Sequence, residues 1–273
     1  MRRVVSGVDG SAFCNDAAGV KGAGKWILGI ILIAGVCAGG LWLWKSESIA
    51  VLVKGESTPA PTPDPERYET LIAEIQRWRT DLAEDYQQAG NAEERAAVER
   101  DARLILELML PEMMRCWLGT PYDFNGTAEK PGAGTLACGY YVSTVLRDAG
   151  FRVNRYKLAQ QPSENILRTF LPADSCHLRV GKDFGEYVDW VEKKEPGIYL
   201  VGLDTHVGFI VNRVDGMHFF HSSAAGKVGV VDETRQRAGA LRRSNWRLLG
   251  GLTVDPGVIR TWLKGEKLAV KTG

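Results

Sequence analysis

The stretch that decides the fold is Leu136-Ala137-Cys138-Gly139-Tyr140-Tyr141-Val142-Ser143-Thr144-Val145-Leu146-Arg147-Asp148-Ala149-Gly150. Its apolar residues recur at helical spacing after Cys138, and Gly150 stands where a C-terminal helix cap belongs. Cys138 therefore lies at or near a helix N-terminus. There we expect the helix dipole and unpaired N–H groups to lower the pKa of the thiol and to supply an oxyanion hole. A buried structural cysteine is the alternative.

A set of strands follows this helix. Residues 197–202 and 205–211 are rich in β-branched and aromatic residues, and Asp215-Gly216 is a strong hairpin-turn signal. Residues 217–222 then return antiparallel, and residues 227–231 add a further strand. Helices and antiparallel strands together indicate an α+β fold. His206 stands at the start of its strand and is the candidate base.

Strand parity selects a third residue. If Asp215-Gly216 forms the turn, Ile210 opposes His221, so His221 shares a face with His206 while His218 points to the other face. This register leaves His206 and His221 about 13 Å apart along the strands. Contact between them requires a bulge or a shifted register.

Four segments follow the order found in one enzyme family. They are Pro121-Tyr122-Asp123-Phe124-Asn125-Gly126, Ala137-Cys138-Gly139-Tyr140, Thr205-His206-Val207-Gly208-Phe209-Ile210 and Phe220-His221-Ser222. Together they resemble the NlpC-type cell-wall cysteine peptidases, over residues 117–231. The resemblance implies a papain-like fold, with the nucleophile helix packed on an antiparallel sheet. It also implies cleavage of peptide bonds in the stem peptides of bacterial peptidoglycan.

Two segments depart from the family pattern. The family usually has Asp-Cys-Ser-Gly around the nucleophile, where this chain has Ala137-Cys138-Gly139-Tyr140. The loop before it usually carries Trp-Gly-Gly, where this chain has Phe124-Asn125-Gly126. These departures bear on the substrate more than on the chemistry.

The expected mechanism is acyl transfer. His206 takes the proton of the Cys138 thiol, the sulfur attacks an amide carbonyl, and water releases the acyl-enzyme. His221 orients the imidazole as the third member of the triad, with Asp204 as the alternative orienting residue. The resemblance assigns Tyr122 to holding the substrate or the oxyanion. An amidase, deamidase or acyltransferase of the same fold, and an inactive membrane-tethered binding scaffold, are the alternative functions.

The N-terminal region carries a membrane signal. Residues 26–44 contain no charged residue and as a helix would span about 28 Å, close to the thickness of a bilayer core. Basic residues are more frequent before this run than after it, so residues 1–25 are expected in the cytoplasm. The chain is then a single-pass protein of the bacterial inner membrane with a periplasmic or extracellular catalytic domain. A cleaved signal peptide and a buried core helix are the alternatives.

The remaining segments complete the domain organisation. Residues 45–65 form a proline-rich linker, 66–110 a helical hairpin, 111–252 the catalytic domain and 253–273 a C-terminal tail or helix. The second hairpin helix is expected to end near Leu110, because Pro111 interrupts it.

Composition and residue spacing argue against nucleic acid, metal and cofactor binding. The net charge is +1 and no basic stripe stands out, so nucleic acid is not expected as a partner. The five cysteines and four histidines lack metal-site spacing, so we expect no metal and no other cofactor. Pairing of Cys116 with Cys176 is left open. The expected partners are a peptide substrate and the membrane.

Overall fold

The computed structural model describes residues 60–225 and 229–272. They form an α+β structure in which eight helices surround one six-stranded antiparallel sheet. The predicted cytoplasmic segment 1–25, the membrane segment 26–44 and most of the linker 45–65 lie outside the described residues. Within the described part, no helix combines the length and the apolar character needed to cross a bilayer.

The elements are bounded as follows. The helices are α1 Pro65–Gln88, α2 Ala92–Arg115, α3 Cys138–Asp148, α4 Arg155–Ala159, α5 Ser163–Phe170, α6 Phe184–Glu192, α7 Gly239–Arg243 and α8 Pro256–Lys264. The strands are β1 Cys176–Val180, β2 Gly197–Leu203, β3 Val207–Arg213, β4 Gly216–Ser223, β5 Gly229–Thr234 and β6 Trp246–Gly251. The strand order in the sheet is β1-β6-β2-β3-β4-β5.

The centre of the sheet is covered on both faces. Helix α3 packs on β3, where the rings of Tyr141 and Phe209 meet edge to face. Helix α6 supplies Tyr187 and Val188 to a core on the other face that includes Ile210. Every residue of β2 is buried. Strand β3 is therefore held in place from both sides, and its N-terminal end carries His206.

Helix α2 runs through Pro111 to Arg115, so the predicted end near Leu110 is wrong. Proline removes one helical hydrogen bond and its ring crowds the preceding turn. However, Leu110, Met113 and Met114 around it are all fully buried. Burial of several such side chains, each worth about 1.5–3 kcal/mol, offsets the cost of the proline.

The hairpin of α1 and α2 belongs to the same compact unit as the sheet, which extends from Ala60 onward. The hydroxyl of Tyr68 donates to the Asp148 carboxylate at 3.0 Å, and the Gln76 amide donates to the Asp148 carbonyl at 3.2 Å. From α8, the indole of Trp262 donates to the Ala149 carbonyl at 2.7 Å. The hairpin and α8 thus fix the C-terminal end of the helix that Cys138 begins.

The turn between β3 and β4 differs from the prediction by one residue. Arg213 opposes Gly216, so the two turn residues are Val214 and Asp215 rather than Asp215-Gly216. Val214 is 98% exposed at the apex. Gly216 instead opens β4 with φ of 120°, a conformation that favours glycine.

This turn changes the strand register by two residues. Ile210 opposes Phe219, and not His221 as predicted. The observed register pairs Asn212 with Met217, and both residues are buried. A two-residue shift keeps every side chain on its face, while moving His221 closer to the end of β3 that His206 precedes.

Candidate active site

One cavity of about 910 Å³ brings three of the sequence-predicted site residues together. Cys138, His206 and Tyr122 all line it. His221 lies behind His206, is fully buried, and lines with it a second cavity of about 260 Å³. Residues from α3, from the start of β3, from β4 and from the loop before the nucleophile therefore converge on one place.

Cys138 is the first residue of α3. The preceding Ala137 makes no side-chain capping bond, so the first N–H groups of the helix receive no cap from that residue. Burial raises the pKa of the Cys138 thiol, and it outweighs the lowering effect of hydrogen bonds from the N–H groups of Val207, Gly139 and Cys138 itself. The expected depression of this pKa is therefore wrong in direction. The thiol is protonated at rest near neutral pH.

Hydrogen bonds fix the chain that leads into Cys138. The N–H of Leu136 donates to the Pro121 carbonyl at 2.8 Å, and the N–H of Ala137 donates to the Gly126 carbonyl at 2.9 Å. The buried hydroxyl of Ser222 on β4 donates to the Leu136 carbonyl at 2.6 Å. The tyrosine loop, the nucleophile and the sheet are thus tied together.

Packing against α4 explains why glycine, at Gly139, follows the nucleophile. A Cβ atom at this position would lie 2.4 Å from the carbonyl oxygen of Ala159 on α4. Because that contact is with backbone, α4 could not keep its place against a larger residue. Glycine at this position allows α4 to pack directly on the first turn of the helix that Cys138 begins.

The His206 ring is oriented by a hydrogen bond at its Nε2. Its Nε2 lies 2.7 Å from Nδ1 of His221. Burial, and then the neighbouring His221, lower the pKa of His206 to about 3. The imidazole is therefore neutral over the ordinary pH range. Its Nδ1 has no hydrogen-bond partner within the described residues, so thiol and imidazole face one cavity without being bonded to each other.

Gly208 makes the contact between the histidines possible. Phe209 opposes Phe220, and continuing this register places Gly208 opposite His221, with His206 on the diagonal that long side chains can bridge. A Cβ on Gly208 would lie 2.8 Å from the Phe220 carbonyl oxygen and 3.0 Å from the Cβ of His221. Only glycine leaves His221 this position.

Glu233 is a site residue that sequence reasoning missed. Its Oε2 lies 3.1 Å from Nε2 of His221. The predicted last strand ended at Val231, whereas β5 continues to Thr234 and places Glu233 opposite Phe219. Extending the strand by alternation would have placed Glu233 on the same face as Val231, which opposes His221.

No family model, curated protein or solved structure matches the chain. The interpretation of the site therefore rests on its geometry and on the sequence.

Tyr122 lies beside the nucleophile and lines both cavities. Burial raises the pKa of its hydroxyl, with further contributions from the neighbouring Cys138 and Asp123. The phenol thus keeps its proton near neutral pH and remains a hydrogen-bond donor. This is the property that the predicted role of holding an oxyanion requires.

Asp204 does not orient His206. Its carboxylate accepts from the Ser244 hydroxyl at 2.5 Å, from the Asn245 N–H at 2.8 Å and from the Trp246 N–H at 3.1 Å. These bonds, the Ser244 bond first, lower the pKa of Asp204. The carboxylate stabilises the segment entering β6, and His221 occupies the position next to His206.

His218 lies apart from the site, as the parity argument predicts. Its Nδ1 lies 2.8 Å from the Asp232 carboxylate on β5. It lines neither the cavity of Cys138 nor the smaller cavity of His221. The two histidines of β4 therefore have separate surroundings.

Proposed function

We propose that the chain is a membrane-anchored cysteine hydrolase with a papain-like fold that cleaves amide bonds through an acyl-enzyme. One observation supports this most. Cys138, at the uncapped start of a helix, shares a cavity with His206, whose Nε2 is held by the buried His221. A nucleophile, a base and a group that orients the base are the parts that acyl transfer needs.

The proposed reaction begins with a neutral pair. Nδ1 of His206 takes the thiol proton as the Cys138 sulfur attacks the carbonyl carbon, so no thiolate–imidazolium pair precedes attack. The C–N bond then breaks and the imidazolium gives its proton to the leaving amine. Water, deprotonated by the same imidazole, attacks the thioester; the C–S bond breaks, the acid is released, and the imidazolium returns its proton to the Cys138 sulfur. The helix N–H groups and the hydroxyl of Tyr122 are the available donors to the oxyanion.

The proposed substrate is the stem peptide of bacterial peptidoglycan. The resemblance to NlpC-type peptidases favours it, and so does the form of the cavity. Its lining combines amide side chains (Asn125, Gln160 and Gln161) with Phe124, which is 80% exposed. Such a lining suits an extended peptide with both polar main-chain groups and apolar side chains.

Digestion of purified muropeptides by the full-length chain in detergent tests this function. Mass spectrometry should show one new amine and one new carboxylate per cleaved bond. Cys138→Ala should give no product, whereas the matched control Cys176→Ala, at another free cysteine of the described part, should cleave normally. Release of ammonia without cleavage would indicate a deamidase, and transfer to an added amine an acyltransferase. Binding without any product would contradict an enzyme.

The proposed location is the bacterial inner membrane, with residues 26–44 as a single anchor and the catalytic domain on the periplasmic or extracellular side. Protease added to intact spheroplasts should digest residues 60 onward. Protection of these residues, while a periplasmic control protein is degraded, would show that the orientation is wrong.

A further inference from the structure

Both ring nitrogens of His221 are engaged. Nδ1 lies 2.7 Å from Nε2 of His206, and Nε2 lies 3.1 Å from Oε2 of Glu233. The ring is fully buried and stacks on Phe219, with centroids 4.1 Å apart. Packing and hydrogen bonds together leave the ring one orientation.

The proton positions follow from what each group can donate. A carboxylate oxygen only accepts, so Nε2 of His221 carries a proton and donates it to Glu233. A His221 ring with one proton, held on Nε2, accepts at Nδ1, so Nε2 of His206 must then donate to it. Since His206 is also neutral, its Nδ1 is left with the lone pair. This nitrogen is the one that a base needs toward the cavity.

We infer that Glu233 is a positioning residue that sets the tautomer of His206 through His221. The inference rests on the proposed function, because it makes Glu233 the fourth group of a relay that ends at Cys138. Glu233 touches neither substrate nor sulfur. It acts by keeping Nδ1 of His206 unprotonated, and by placing a negative charge near the imidazolium that forms during attack.

Loss of the carboxylate changes the proton positions. In Glu233→Ala, Nε2 of His221 has no acceptor, so the ring can carry its proton on Nδ1 and donate to Nε2 of His206. His206 must then hold its proton on Nδ1, and it cannot accept the thiol proton. In Glu233→Gln the side-chain amide oxygen can still accept from His221, so part of the effect should be rescued.

Nitrogen-15 NMR of the full-length chain, labelled at its four histidines, tests the inference. The wild type should show His206 and His221 protonated on Nε2. Glu233→Ala should populate the Nδ1–H form of both rings and lower turnover of a stem peptide by about 10²-fold. Glu233→Gln should lose less. Asp232→Asn is the matched control, because Asp232 is the neighbouring acid on β5 and its hydrogen bond among the described side chains is to His218; the tautomers of His206 and His221, and turnover, should equal those of the wild type.

Two results would overturn the inference. One is a wild type in which either His206 or His221 carries its proton on Nδ1. The other is a folded Glu233→Ala or Glu233→Gln variant with unchanged tautomers and unchanged turnover. If Glu233→Ala does not fold, the comparison of Glu233→Gln with Asp232→Asn decides. The NMR result is independent of the proposed function, since absence of wild-type cleavage would contradict the hydrolase and leave the tautomers measurable.

Discussion

Strand β4 carries two histidines that each meet an acid on β5, one pair on each face of the sheet. The inner pair is His221 with Glu233, and the outer pair is His218 with Asp232. The His221 side chain is 1% exposed and passes its second nitrogen on to His206, whereas the His218 side chain is 34% exposed and its bond to Asp232 continues no further toward the nucleophile. The same residue types therefore form two different pairs. The buried pair contacts His206, and the partly exposed pair does not.

The charge states differ between the two faces. The hydrogen bond to Asp232 raises the pKa of His218 in spite of its partial burial. On the inner face, burial and the neighbouring ring lower the pKa of His206 to about 3. The outer face therefore favours a charged pair that contributes to stability, and the inner face keeps a neutral base.

Replacing the two histidines of β4 in turn should give the largest difference. His221→Ala removes the partner that orients His206 and should lower turnover by about 10²–10⁴-fold. His218→Ala should leave turnover per folded molecule within about twofold of the wild type, because it lies outside the relay. Steady-state cleavage of a stem peptide, with circular dichroism as the folding control, measures both. An inactive His218→Ala beside a normal His221→Ala would contradict the assigned relay.

The second largest effect is expected at Gly208, where the absence of a side chain leaves room for His221. In Gly208→Ala the new methyl would collide with the Phe220 carbonyl oxygen and with His221, so the strands must separate. Overpacking of this kind costs about 1–3 kcal/mol of unfolding free energy, and turnover per folded molecule should also fall. Gly90→Ala is the matched control, because its Cβ would meet only the exposed Glu94 side chain at 3.5 Å. Equal stability and turnover in the two variants would contradict the steric account.

The pH dependence of catalysis should be shifted to the acid side. With the pKa of His206 lowered to about 3, the free enzyme keeps its neutral base far below the ordinary histidine pKa of about 6.5. The acidic limb of kcat/KM should therefore lie well below pH 6.5. The contradicting result is an acidic limb of kcat/KM with its inflection between pH 6 and 7 that persists when each of the other histidines is replaced. It would show that the pKa of His206 is not lowered.

His206 and His218 should change the pH dependence of stability in opposite directions. Between about pH 6.5 and 3 the unfolded chain binds a proton at His206 that the native chain does not, so this group makes stability fall as pH is lowered. His218 binds its proton more tightly in the native state, so its contribution is present at low pH and is lost as pH rises through its raised pKa. Melting temperatures of His206→Gln and His218→Gln across pH 4 to 8 should deviate from the wild type with opposite slopes.

The smallest effect is expected for the outer acid. Asp232→Asn removes the charge that His218 meets, and because the pair is partly exposed the loss should be below about 1 kcal/mol. It should appear below pH 6.5 and fade at higher pH, where His218 is neutral in both proteins. Urea unfolding at pH 5.5 and pH 9 measures it. A loss larger at pH 9 than at pH 5.5 would contradict the charged outer pair.

Some features of the site could be predicted from local pattern and others could not. The helix after Cys138, the antiparallel strands and the separate faces of His218 and His221 follow from periodicity, which is a local property. The register did not, because an Asp-Gly signal fixes a turn only to within a residue, and the observed turn residues are Val214 and Asp215. The predicted last strand ended at Val231, three residues before the end of β5, and therefore did not include Glu233.

The raised pKa of Cys138 shows a further limit of local reasoning. Its position at a helix N-terminus predicts a lowered pKa, and the N–H groups do act in that direction. How far the surrounding chain buries the thiol depends on tertiary packing, which the position in one helix does not reveal. Pro111 is a similar case, since burial around it keeps α2 continuous.

Detection of the acyl-enzyme tests the central proposal most directly. The full-length chain is mixed with a stem peptide, quenched in acid within milliseconds to seconds, and analysed by intact and peptide mass spectrometry. The account predicts a mass increase equal to the acyl part of the substrate, located on the peptide that contains Cys138, absent in Cys138→Ala and retained in Cys176→Ala. Substrate cleavage with no adduct on Cys138, or undiminished cleavage by Cys138→Ala, would contradict it.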